Sequence, residues 1–141
     1  MKLILAALLF ILKLSLFAQS NQFAGDYTRS LSGENHKLEY ALTLNQDGTF
    51  EFHYYSYIQG GTPQEVNKYG KGRWSEKDNL ITFSSDKTTD LSEKYTLDFS
   101  HSTARFVTKN PRDKTDKIVK TKLQFLESEI LWMRRIDIFK V

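Results

Sequence analysis

Lys37-Leu38-Glu39-Tyr40-Ala41-Leu42-Thr43-Leu44, then Asn45-Gln46-Asp47-Gly48, then Thr49-Phe50-Glu51-Phe52-His53-Tyr54-Tyr55-Ser56-Tyr57-Ile58, is the stretch that decides the fold class. Its first segment alternates with period two, so Leu38, Tyr40, Leu42 and Leu44 share one face and Lys37, Glu39, Ala41 and Thr43 the other. That is a half-buried antiparallel strand. Asp-Gly is a strong hairpin signal. The third segment alternates again: Phe50, Phe52, Tyr54 and Ile58 lie on the inner face, and Glu51, His53, Tyr55 and Tyr57 lie opposite.

The same rhythm extends in both directions. Toward the N-terminus, Gly25 to Leu31 reads as a short first strand. Toward the C-terminus, Gln59 to Asn67 holds Gly60, Gly61 and Pro63 and reads as a loop. Lys68 to Ser75 is a strand whose Gly70 and Gly72 mark a bend or a close backbone approach. Leu80 to Ser84, Glu93 to Ser100, Thr103 to Thr108, Ile118 to Leu126 and Glu129 to Val141 complete the set. In the last of these the alternation slips at Arg134-Arg135, which predicts a β-bulge. No segment after residue 20 has helical periodicity. About eight sequential antiparallel strands predict an all-β antiparallel meander closing into an up-and-down barrel, with a β-sandwich as the alternative.

The N-terminus differs in kind. Lys2 precedes ten apolar residues, Leu3 to Leu12, and no acid appears before Asp26. A cationic start, a short apolar stretch and small residues at Ala18 and Ser20 are the layout of a secretory signal peptide. Ten uninterrupted apolar residues are too few to span a bilayer, which needs about 20. The expected organisation is a signal peptide at 1–20, cleaved after Ser20 or Ala18, and one domain at 21–141. That domain is expected to be soluble and periplasmic or secreted, with no transmembrane span.

Composition excludes several function classes. The chain has no cysteine, so it offers no disulfide, no thiolate nucleophile and no site for a cysteine-linked lipid. The formal net charge of +3 falls to +1 once Lys2 and Lys13 leave with the leader. Nucleic-acid binding then lacks its electrostatic footprint. The remaining charge is uneven: Arg105, Lys109, Arg112, Lys114, Lys117, Lys120 and Lys122 are opposed locally only by Asp113 and Asp116. This is either a solvated loop and strand face or a contact for an anionic surface.

Chemistry-bearing motifs are absent. There is no G-x-S-x-G elbow, no H-E-x-x-H helix and no phosphate-cradling glycine loop. Glu51 and His53, at i and i+2, could offer two metal ligands, but they equally make a polar outer face. The expectation is no catalytic residue, no metal and no cofactor. The aromatics are the suggestive group. Tyr40, Leu42, Phe50, Phe52, Tyr54, Trp74, Phe83, Phe106 and Trp132 are the candidate interior, and an eight-stranded barrel can be packed solid or hold one small ligand.

Gly25-Asp26-Tyr27, Leu44-Asn45-Gln46-Asp47-Gly48-Thr49-Phe50, Gly72-Arg73-Trp74 and Leu80-Ile81-Thr82-Phe83 together resemble the small lipocalin-like barrels that bacteria export. The resemblance covers residues 22 to 84 by motif. It implies an apolar-ligand cavity, and a barrel closed by Tyr27 packed under Arg134 or Arg135. Two departures stand out: tyrosine occupies the place of the usual tryptophan at 27, and the cysteines of many secreted members are missing. The leading expectation is therefore an exported, non-enzymatic barrel that binds a small hydrophobic ligand. The alternatives are a filled barrel acting as an envelope or surface protein–protein interaction module with an unidentified partner and, behind it, a cryptic enzyme.

Overall fold

The computed structural model describes residues 22–141, and the signal peptide expected at 1–20 lies outside them. Nine strands follow in order: β1 Gly25–Ser32, β2 His36–Leu44, β3 Thr49–Ile58, β4 Glu65–Lys77, β5 Leu80–Ser84, β6 Tyr95–Leu97, β7 Ser102–Val107, β8 Lys122–Glu127 and β9 Asp137–Lys140. One 3₁₀ turn, Leu131–Met133, precedes β9. Eight strands close a barrel in the order β1-β2-β3-β4-β5-β7-β8-β9, with β9 returning to β1 and each neighbour antiparallel. Closure removes the free edges that an open sheet of this size would expose.

The deciding hairpin forms in the expected register, with Leu42 opposite Phe52 and Leu44 opposite Phe50. Asp47 holds the turn: its Oδ1 accepts from the Thr49 backbone N–H at 2.9 Å and from the Thr49 hydroxyl at 2.6 Å. Those two bonds hold the Asp47 carboxyl below its usual range. The Trp74 indole donates to the Asn45 carbonyl at 2.9 Å. The Asp-Gly hairpin and the Gly-x-Trp strand are thus one packed unit.

Strand β6 lies outside the circuit. It pairs parallel with β4 at Tyr69 and Gly70, on the half of β4 that β5 leaves uncovered. Glu93 to Ser100 is therefore a strand only at 95–97. Beyond it, Phe99 enters the barrel wall and is fully buried. The two strand glycines explain how. A Cβ on Gly70 would sit 2.6 Å from the Phe99 ring, and one on Gly72 would collide with the Ser84 carbonyl. Both positions are glycine because another group occupies the side-chain space.

Two strand expectations are corrected at their ends. Residues 118–121 lie outside β8, and Ile118 is 91% exposed. Glu129 to Val141 divides into the 3₁₀ turn and β9, so Leu131 points to solvent while Met133 is buried. The slip at Arg134-Arg135 has the hydrogen bonding of a bulge. Arg135 adopts φ +64° and its N–H donates to the Phe125 carbonyl at 2.9 Å. The Phe125 N–H donates to Ile136, so two residues face one.

The core is a run of rings across the barrel. Phe50 of β3 meets Phe83 of β5 at 5.1 Å between centroids, and Phe83 stacks on Phe125 of β8 at 5.4 Å. Strand β8 lies four places round from β3, so the run joins opposite walls. Phe99 contacts Phe50 at 5.2 Å and Phe52 at 5.0 Å. Separations of this size are direct ring-to-ring packing. Where the chain enters, Phe23 closes the barrel with its edge against Phe106 at 4.8 Å.

Candidate functional site

The expected interior residues divide by depth. Leu42, Phe50, Phe52 and Phe83 are fully buried, and Tyr40, Trp74 and Phe106 are buried with a small remainder. Tyr54 and Trp132 are half-buried and pack against the same core. All nine therefore contribute to one cluster.

Tyr40, Tyr54 and Trp132 form a rim at the end of the barrel opposite Phe23. Tyr40 and Tyr54 face each other across β2 and β3, with centroids 5.3 Å apart. Trp132 arrives from the 3₁₀ turn and lies 4.8 Å from Tyr54, 6.1 Å from Tyr40 and 6.2 Å from Phe52. The turn positions this indole, because a strand through 129–133 would place Trp132 and Met133 on opposite faces. Burial raises the Tyr40 phenol above its ordinary value and the Tyr54 phenol beside it adds to the rise, while the Arg29 guanidinium works against both. Leu131, 70% exposed, stands next to Trp132 on the turn, and Leu31 and Ile58 are exposed on the inner side of β1 and β3.

The barrel seam keeps the expected Tyr27 but takes its cations from residues the sequence did not single out, Lys140 and Arg29. Tyr27 is fully buried and its hydroxyl donates to the Phe23 carbonyl at 2.5 Å. Arg134 and Arg135 are exposed and stand away from it, with Arg134 donating from Nε to the Ser128 carbonyl at 2.8 Å. The cation over Tyr27 belongs to Lys140 of β9, whose Nζ lies 5.9 Å from the ring centroid and donates to the Gln22 carbonyl at 2.7 Å. Beyond the two residue pairs that join β1 and β9, Arg29 bridges the seam by donating to the Asp137 carbonyl at 3.2 Å.

On the outer face, His53 stacks flat on Tyr69 at 4.5 Å, and its Nε2 is 2.8 Å from Asn67 Oδ1. Lys94 lies over Tyr69 and Tyr95, and Lys71 lies over Tyr95. The Glu51–His53 pair therefore has its histidine engaged with Asn67 and Tyr69, and among the described residues no group of three metal-ligating side chains converges. Tyr55 donates to Glu65 at 3.0 Å. His101 pairs with Glu129 at 3.0 Å, far in sequence from His53. Tyr69, Tyr95, Lys71 and Lys94 meet only because β6 folds back beside β4, a long-range pairing with no local signature.

No curated protein and no solved structure matches the chain. The sequence profile of the NlpE N-terminal domain matches residues 33–117, more than half of the chain, from the entry to β2 into the loop after β7. The lipocalin resemblance holds at the coarser level of a closed eight-stranded meander. No helix among the described residues is long and apolar enough to cross a membrane. The chain belongs to the NlpE N-terminal domain family, a small β-barrel domain of bacterial envelope proteins.

Proposed function

We propose that this barrel is a non-enzymatic binding module of the bacterial envelope that engages a protein partner through its aromatic rim. The observation that carries the reading is the run of rings from Phe50 through Phe83 to Phe125, which joins opposite walls and occupies the space a carried ligand would need. Activity then falls to the outside. The rim supports that role: Tyr54 and Trp132 keep accessible ring surface, and Leu131 beside them is exposed. Tyr and Trp are enriched among the residues that anchor interfaces. The leader read at 1–20 agrees with delivery to the envelope.

The test is photo-crosslinking in cells that export the protein, with a photoreactive phenylalanine at Leu131 or, as a control, at Glu93 on the β5–β7 connection. One discrete adduct from position 131, absent from position 93 and lost on Trp132→Ala, is the expected result. No adduct from 131, or the same adducts from both positions, would remove the rim as the binding surface.

A further inference from the structure

The connection between β7 and β8, residues 108–121, is the most basic stretch among the described residues. From Arg105 to Lys122 there are seven basic residues and two acidic ones, which leaves eleven basic and fifteen acidic for the rest of residues 22–141. The domain is therefore a dipole, cationic at one place and anionic elsewhere. Among the described residues only Lys122 of this set is in an ion pair, with Asp137 at 2.9 Å. Arg112, Lys114, Lys117 and Lys120 are exposed.

Residues 109–115 of the segment are ordered by their own hydrogen bonds. Asp113 Oδ1 accepts from the Thr115 N–H at 2.9 Å and from its hydroxyl at 2.6 Å. Asn110 accepts from the Arg112 N–H, and Lys109 donates to the Thr115 carbonyl. Asp113, one of the two local acids, is thus tied into the turn. Ile118 then stands 91% exposed, one residue after Lys117 and two before Lys120, the highest exposure of any large apolar side chain described. An isolated exposed isoleucine needs no explanation on its own. An exposed isoleucine among lysines, just after an ordered turn, fits the boundary between headgroups and acyl chains, where cations meet lipid phosphates and an apolar tip enters.

The place of the loop in the barrel fixes an orientation. It leaves from the last residue of β7 and returns to the first of β8, at the end where Phe23 packs on Phe106. The chain enters the barrel at that end, and the Tyr40–Tyr54–Trp132 rim is at the other. We infer that the 108–121 loop docks this end of the barrel on an anionic phospholipid bilayer, with Ile118 inserted and the rim turned away from the membrane. This inference stands on the loop alone and does not depend on what the rim binds.

The test is sedimentation of the purified protein with vesicles of phosphatidylglycerol and phosphatidylcholine, compared with phosphatidylcholine alone. Binding to the anionic vesicles only, lost in high salt, is expected. Lys114→Glu/Lys117→Glu/Lys120→Glu should raise the lipid concentration for half-binding at least about tenfold, since each cation near such a surface acts independently. Ile118→Ser should raise it severalfold at unchanged charge. Reversal at Lys68, Lys87 and Arg135, exposed cations outside the loop, should leave the loop's contribution and most binding in place. Equal binding to both vesicles, indifference to the triple reversal, or retention on soluble polyglutamate with no vesicle binding would overturn the inference. Unchanged circular dichroism of each variant separates lost binding from lost folding.

Discussion

Tyr27 shows how a single side chain can be both legible and misread. Its place at the start of the first strand marks it as a packing residue, and it is fully buried with its hydroxyl on the Phe23 carbonyl. Its cationic neighbour was expected five or six residues too early: Lys140, not Arg134 or Arg135, lies over the ring. The reason is the 3₁₀ turn and bulge at 131–136, which use up the residues that an uninterrupted strand would have carried to the seam. Burial pushes the Tyr27 phenol far above its usual value of 10.0. The unfolded chain ionises this group near pH 10 and the folded chain does so only well above it. Below pH 10 both states hold the proton and Tyr27 adds no slope. Above it the unfolded state binds fewer protons, so stability falls by up to about 1.4 kcal/mol per pH unit for this one group. Urea titrations of wild type and Tyr27→Phe between pH 9 and about 11 should show the wild type losing stability more steeply. Parallel curves would mean that the phenol is not desolvated.

At the scale of elements, β2, β3 and β5 are plain in the sequence because their contacts are local: alternation sets the face and the Asp-Gly turn sets the register. The β5–β7 connection was only half legible. Tyr95, Leu97 and Phe99 alternate as a strand would, but nothing local says that the segment runs parallel to β4 or that Gly70 makes room for Phe99. Serine side chains hold it there. The Ser85 hydroxyl donates to the Lys71 carbonyl at 2.9 Å and accepts from the buried Phe99 N–H at 3.1 Å, while the Ser100 hydroxyl donates to the Ser85 carbonyl at 3.1 Å. Ser85→Ala leaves the Phe99 N–H and the Lys71 carbonyl without that partner. The expected cost is about 1–3 kcal/mol. Hydrogen exchange should locate the loss at residues 95–100, with β2 and β3 still protected. A uniform loss over all strands would instead mean that this segment is not a separate, weakly held unit.

For the whole molecule, closure and filling are the two properties that bear on function. Closure was readable from eight sequential strands without a helix. Filling was not, because an eight-stranded circuit accepts either a packed core or a ligand and the same aromatics serve both. What favours a packed core is the meeting of residues 50, 83, 99 and 125 in one place, brought there by the β6 detour and by glycine at 70 and 72. In a filled barrel the proposed work falls to the surfaces, the aromatic rim at one end and the basic loop at the other. Native mass spectrometry of the protein recovered from cells that export it tests this most directly. The mass of the bare polypeptide, unchanged after incubation with lipids and pigments, is the result expected of a filled barrel. A stoichiometric small molecule retained under native conditions and released on denaturation would contradict it.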